Sequence, residues 1–197
     1  MAATNTPPQL KLRQKAQLMS ASEIERTLVR LAHEIVEESG GVDGLAFVGI
    51  RRRGVPLAER LGRLVERIEG VPAPVGTLDI SFYRDDLSTV GPKPVVQESD
   101  LGFSIQDKHV VLVDDVLFTG RTTRAAMDVL FSYGRPLSVR LCVLIDRGHR
   151  ELPIEAAFVG RTVQTTMNEV IEVKLMEIDS ADKVLLMESS RLSFLSQ

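Results

Sequence analysis

Two adjacent aspartates, Asp114 and Asp115, close an apolar run in the stretch VVLVDDVLFTGRTTRAAM at residues 110–127. Ionised carboxylates only accept hydrogen bonds, so such a pair suits hydroxyl groups or the ordering of metal-bound water. A short turn follows, Thr119, Gly120, Arg121 and Thr122, and leads into a helical pattern. Backbone N–H groups converging at a helix N-terminus favour a phosphate. Gly120 has no Cβ to keep that anion away, while Thr119 and Thr122 add hydroxyl donors. One ligand that needs both halves is a phosphorylated sugar, with its hydroxyls on the aspartates and its phosphate on the turn. A second concentration of charge is GIRRRG at residues 49–54, where Arg51, Arg52 and Arg53 are consecutive. Read alone, these arginines are a solvated basic turn. The segment continues Val55-Pro56, so it is not a Walker A loop, and the chain contains no GxGxxG.

These groups need elements to hold them. Residues 110–113 predict a buried strand that ends at the aspartates, because neighbouring strand side chains point to opposite faces and can share a site only at a strand end. Upstream, a helix is expected to start near Ser20 or Ser22, with Ile24, Leu28, Leu31 and Ile35 on one stripe and Arg26, Arg30, His33 and Glu37 opposite. GLAFVGI at 44–50 reads as a strand. Residues 55–69 read as a helix with Leu57, Leu61, Leu64 and Ile68 inward, and 75–83 as a strand. A polar connection at 84–107 carries Gly91, Pro92 and Pro94, and long connections inside compact domains are usually functional. A helix at 121–133, with Ala126, Val129, Leu130 and Tyr133 on one side, precedes a strand at 138–146. Shorter apolar runs at 170–175 and 183–187 could extend or cap the sheet. Strand and helix alternate and the strands are almost continuously apolar, so the expected class is α/β, with a parallel sheet covered on both faces. Ligands of such sheets bind at the carboxyl ends of the strands.

The whole chain is consistent with one domain. It has 197 residues, of which 44% are apolar and 26% charged, and a net charge of −3. Any nucleic-acid contact must therefore come from a local basic patch. The first 17 residues, MAATNTPPQLKLRQKAQ, read as a flexible tail without a signal-peptide core. No uncharged apolar run reaches the roughly 20 residues needed to span a membrane, so a soluble cytoplasmic protein is expected. The single cysteine, Cys142, lies inside LCVLI and reads as a buried small hydrophobe.

VVLVDDVLFTGRTT resembles the motif that binds 5-phosphoribosyl 1-diphosphate (PRPP) in type I phosphoribosyltransferases. GIRRRG, LDISFYRDDL and VLIDRGHRELPIEAAFVGR narrow the resemblance to the PyrR family, pyrimidine-operon attenuation regulators that also have uracil phosphoribosyltransferase activity. The resemblance covers residues 18–188, leaving 1–17 and 189–197 as tails. It implies the type I phosphoribosyltransferase fold, a central mostly parallel sheet flanked by helices with a small hood. It also implies a reaction in which uracil and PRPP give UMP and pyrophosphate. In that scheme Asp114 and Asp115 hold the ribose hydroxyls and Thr119, Gly120, Arg121 and Thr122 the 5-phosphate. Arg51, Arg52, Arg53 and Gly54 meet the pyrophosphate. Arg84 begins a mobile cover and joins the aspartates in catalysis, while Asp146 and Arg147 lie near the base. Mg²⁺ arrives with PRPP and has no direct protein ligand.

The family further implies that a basic face of a homodimer, or of a higher homo-oligomer, binds a pyr mRNA leader hairpin when uridine nucleotides are present. The matching positions here are Arg30, His33, His149, Arg150, Arg161 and Thr165. Three residues depart from the family pattern: Val29 stands where threonine is common, Glu155 where a basic residue is common, and Gln164 where proline is frequent. A carboxylate on such a face repels phosphates. Two other readings stay open from the sequence: a nucleotide-sensing regulator without catalysis, and a purine-salvage phosphoribosyltransferase, since the PRPP motif is shared across bases.

Overall fold

The computed structural model describes residues 12–80 and 99–189. Strand β1 (Leu12–Met19) leads into α1 (Ala21–Ser39), β2 (Leu45–Ile50), α2 (Gly54–Glu69) and β3 (Val75–Leu78). After these come β4 (His109–Leu117), α3 (Arg121–Phe131), β5 (Ser138–Asp146), β6 (Phe158–Thr162), β7 (Glu169–Lys174), α4 (Met176–Asp179) and β8 (Lys183–Ser189). Strands β2 to β6 form one parallel sheet in the order β3-β2-β4-β5-β6, and β1, β8 and β7 form a small antiparallel sheet.

Side-chain alternation along the strands explains why both faces of the parallel sheet are covered. Leu45, Phe47, Val111 and Val113 pack on one face with Ile24, Leu28, Leu31 and Ile35 of α1 and Leu57, Leu61 and Leu64 of α2. Val48, Ile50, Val110 and Leu112 pack on the other with Ala126, Val129 and Leu130 of α3. Met19, Ile171, Val173 and Val184 of the small sheet, and Leu175 just after β7, belong to the first cluster, so the hood shares the core of the domain. Helix α1 starts after Ser20, as the sequence suggests, and the Glu23 carboxylate accepts the Ser20 N–H at 2.8 Å. Cys142 is buried, which pushes its thiol up to about 12. No helix among the described residues is long and apolar enough to cross a membrane.

Three local expectations are corrected. Residues 12–17, assigned to the tail, form most of β1; their side chains are exposed, and the strand is held by backbone pairing with β8 rather than by burial. The strand expected at 75–83 is β3, which ends at Leu78, and residues 81–83 lie outside the described residues. Helix α3 ends at Phe131, so Tyr133 falls beyond it and is 46% exposed instead of inward.

Candidate active site

The strand order makes the crevice. From β2 the chain crosses by α2 to β3 on one side, whereas β4, β5 and β6 follow one another outward on the other. The order therefore reverses between β2 and β4, and open α/β sheets bind ligands at the carboxyl ends of such strands. GIRRRG leaves the end of β2, the aspartates lie near the carboxyl end of β4, and the Thr-Gly-Arg-Thr turn follows that end. Both charged motifs thus reach one place.

Pairing between β2 and β4 stops at Gly49↔Val113, while β4 continues alongside β5 to Leu117↔Asp146. The aspartates consequently lie within β4 and not at its end, which corrects the sequence expectation. They stand where β4 has lost one neighbour and its edge is open to the crevice. Asp114 is 7% exposed and Asp115 half-buried. Asp114 Oδ1 accepts the Asp115 N–H at 2.9 Å, and Asp115 Oδ1 accepts the Val116 N–H at 3.0 Å. Burial raises the Asp115 carboxyl above its ordinary value; a hydrogen bond with the Asp114 side chain and the positive charge of Arg53 oppose the rise. Burial dominates that balance because a carboxylate loses more by desolvation than partial pairing returns.

The loop after β2 is pressed against the same place. A Cβ on Gly54 would fall 2.2 Å from the Val113 carbonyl oxygen, so only glycine allows α2 to start this close to β4. Arg51 is half-buried, its N–H donates to the Leu78 carbonyl at 2.9 Å, and the Arg51–Arg52 peptide is cis. Arg52 is exposed. Arg53 is engaged with the hood: its Nη2 and Nε donate to the two oxygens of Asp179 at 2.8 and 3.2 Å.

Gly120 caps α3 with a φ of 91°, a left-handed conformation that glycine adopts without strain. Around it, Arg121 N–H reaches Thr119 Oγ1 at 3.4 Å, and Arg121 Nε donates to Glu151 at 2.7 Å. Thr122 is half-buried at the start of the helix. The turn is braced by the segment after β5. The N–H groups of Glu151 and Leu152 both donate to the Thr119 carbonyl, at 3.0 and 3.2 Å. Arg150 Nη1 donates to the carbonyls of Phe118 and Gly148, its Nε to that of Ile154, and its Nη2 to Asp146. Arg147 is 6% exposed and lies 4.1 Å over the Phe118 ring; its Nε donates to Thr165 Oγ1 and its Nη2 to the Glu169 carbonyl at 2.7 Å.

Two of the residues singled out by the resemblance have side chains engaged within the protein. Arg150, expected on the RNA face, spends its donors on the carbonyls of Phe118, Gly148 and Ile154 and on Asp146. Arg147, expected near the base, is a buried bracket between Phe118 and the chain that leads into β7. Arg30, Arg161 and the His149–Thr165 pair lie on or beside β6. Arg30 Nη2 donates to the carbonyls of Val159 and Gly160, at 3.0 and 2.7 Å, and Arg161 to that of Leu18. His149 Nε2 lies 2.6 Å from the Thr165 carbonyl oxygen, and His33 is exposed on α1. Val29, Glu155 and Gln164 are exposed as well. Arg84 lies outside the described residues. A separate cavity of about 900 Å³ is lined by Leu28, Leu64, Arg63 and Arg67 among others, and by none of the expected site residues.

Sequence reasoning missed Asp179, Phe118 and Glu151. Their partners are 30 or more residues away in the chain, and no local pattern announces such pairs.

Residues 15–178 match the family described as phosphoribosyl transferase domain. The chain is 55% identical over 177 residues to the bifunctional protein PyrR of Thermus aquaticus, covering 90% of this chain and 98% of that one. It is 51% identical over 178 residues to the protein of the same name from Deinococcus radiodurans, covering 90% and 97%. Among solved structures, the hypoxanthine phosphoribosyltransferase of Trypanosoma cruzi superposes with a TM-score of 0.68 at 19% identity over 90% of this chain and 98% of that chain. That of Staphylococcus aureus gives 0.68 at 20% identity over 93% and 95%. These structural likenesses carry the fold alone. With the sequence matches, the reversal of strand order at the two charged motifs and the small sheet that shares the core, the chain belongs to the PyrR family and has the type I phosphoribosyltransferase fold.

Proposed function

We propose that this protein transfers the phosphoribosyl group of PRPP to uracil, giving UMP and pyrophosphate, and that in its UMP-bound state it attenuates transcription of pyrimidine operons by binding an mRNA leader hairpin. The observation that carries the catalytic half is the meeting of an aspartate pair, a glycine-capped helix N-terminus and an arginine loop at one reversal of strand order. Relatives named as bifunctional PyrR proteins support the regulatory half.

Departure of pyrophosphate builds positive charge on the ribose ring and negative charge on the leaving oxygen. Asp114 and Asp115 accept from the ribose hydroxyls and stand ready for the first charge; Arg51, Arg52, Arg53 and the Gly54 backbone stand ready for the second. Groups positioned beforehand stabilise both without reorganising during the reaction. Thr119, Gly120, Arg121 and Thr122 hold the 5-phosphate, at a turn braced by Arg150 and Glu151. Mg²⁺ arriving with PRPP would keep its waters, from which the aspartate pair can accept, and would neutralise part of the diphosphate charge. Arg84, which lies outside the described residues, joins the aspartates in catalysis. The segment at Asp146 and Arg147 meets the base from the end of β5.

For the hairpin, Arg30, His33, His149, Arg161 and Thr165 line the α1 and β6 side, in a cytoplasmic homodimer or higher homo-oligomer. Arg150 acts there indirectly, by shaping the loop that carries His149. The test is twofold. Uracil- and PRPP-dependent UMP formation is expected; none at millimolar substrate refutes the enzyme. Filter binding of a pyr leader RNA is expected to tighten with UMP, and affinity indifferent to UMP refutes the regulator.

A further inference from the structure

Arg53 is the last residue before α2, and Gly54 pins its backbone against Val113. Its side chain is paired with one carboxylate and attracted by a second. Asp179, in the short hood helix α4, takes its Nη2 and Nε fork to fork. Asp115, across the crevice, contributes an attraction of its own. Two-point pairing fixes the plane of a guanidinium as well as its position. Asp179 is itself held, because its Oδ2 accepts the Leu175 N–H at 3.0 Å and its own N–H donates to the Leu175 carbonyl at 2.7 Å. Leu175 is fully buried in the core.

Docking of the hood does not depend on this pair. Arg60, one helical face further along α2, donates four hydrogen bonds to Glu177 and Asp182 on either side of Asp179. The hood strands also bury Ile171, Val173 and Val184. A bond that is not needed to hold the hood is available to hold Arg53. Without it, the guanidinium loses the two-point pairing that fixes its plane, while Asp115 and Glu172 still attract its charge.

We propose that Asp179 is a positioning residue, which fixes the plane of the Arg53 guanidinium so that its remaining N–H groups are presented to pyrophosphate. The inference rests on the pyrophosphate assignment of GIRRRG and adds a hood residue to it. Asp179→Asn preserves size and can still accept the Leu175 N–H, but it breaks the fork.

The test measures steady-state kinetics, inhibition by pyrophosphate, and calorimetric binding of magnesium pyrophosphate for Asp179→Asn, Arg53→Ala, the double variant and Arg60→Gln. Asp179→Asn is expected to raise the KM for PRPP and weaken pyrophosphate binding about tenfold, with the KM for uracil within about twofold. In the Arg53→Ala background the same change is expected to add nothing, since it acts through Arg53. Arg60→Gln is expected to lower Tm and leave pyrophosphate binding unchanged. Unaltered pyrophosphate binding in Asp179→Asn, or a loss fully additive with Arg53→Ala, overturns the proposal. If the wild type makes no UMP yet binds pyrophosphate, the enzymatic reading fails while calorimetry still decides on Asp179. A wild type that does neither overturns both.

Discussion

At the crevice between β2 and β4, the groups expected to meet a ligand have backbones held by strands and helix starts. On the side formed by α1 and β6, the groups expected to meet RNA are long side chains already engaged with their own protein. Gly54 abuts Val113 and Gly120 caps α3, whereas Arg30 bridges to Val159 and Gly160, Arg161 to Leu18 and Arg150 to Phe118. The first region owes its chemistry to backbone geometry, which a sequence motif specifies locally. The second owes it to side chains that both knit the surface together and carry charge. Mutations should therefore separate function from stability cleanly in the crevice and poorly on the basic side.

The sharpest test of that contrast is Asp115→Asn. The carboxylate is half-buried and bonds only locally among the described residues, to the Val116 N–H and the Asp114 side chain. UMP formation is expected to fall by about 100-fold or more, as for loss of a group aimed at transition-state charge. Tm is expected to stay within a few degrees. A large fall in Tm would put Asp115 in the structural class and break the comparison.

Arg150→Ala should behave the opposite way. Its guanidinium reaches three backbone carbonyls and Asp146, with 22% of the side chain exposed. The expected cost is about 2 kcal/mol of stability, because buried acceptors lose their donors. UMP formation should weaken as well, through a loosened phosphate turn. The salt slope of hairpin binding should not change; a slope reduced by about one would return Arg150 to the phosphate-contacting set.

Arg30→Ala lies between these extremes. Loss of its exposed charge should weaken hairpin binding about tenfold and reduce the salt slope by about one. Loss of its bonds to β6 should lower stability by about 1 kcal/mol or less, since they are solvent-exposed. UMP formation should be unaffected. An unchanged salt slope would leave Arg30 as a tie between α1 and β6 and nothing more.

What could be read in advance follows the same division. The parallel sheet, its helices and their inward stripes were legible because burial imposes a period on consecutive residues. The aspartates and Gly120 were legible because both halves of the proposed sugar-phosphate clamp lie within nine residues, Asp114–Thr122. Strand β1 was not, since LRQKAQLM is almost wholly exposed and has no apolar alternation to betray a strand held by its backbone. The engagement of Arg150 was invisible because its partners are mostly carbonyls, which every residue has. The tie of Arg53 to Asp179 spans 126 residues and exists only once the hood closes on α2.

The smallest expected effect concerns Glu169 in the hood, whose charge serves stability. Glu169 opens β7 with a nearly buried side chain; its Oε1 accepts from Lys15 of β1 at 2.6 Å and its Oε2 from the Thr166 N–H at 2.7 Å. The Lys15 bond, then the Thr166 N–H, hold its carboxyl down to about 2. A folded value below the unfolded one means that the unfolded chain takes up the proton first as pH falls. The stabilisation is therefore complete above the ordinary carboxylate value and lost as pH drops from there towards about 2. Lys15 stays charged throughout, so the titration belongs to Glu169. Glu169→Gln should lower Tm modestly at neutral pH and flatten its decline in acid, and differential scanning calorimetry from neutral pH into that window measures both. If the variant's Tm declines in parallel with the wild type, acid sensitivity lies elsewhere. The same scan on Asp115→Asn sharpens the contrast between the regions. There burial raises the carboxyl, so removing its charge should relieve a desolvation cost, and the variant should match or exceed the wild type in Tm at neutral pH while losing the reaction.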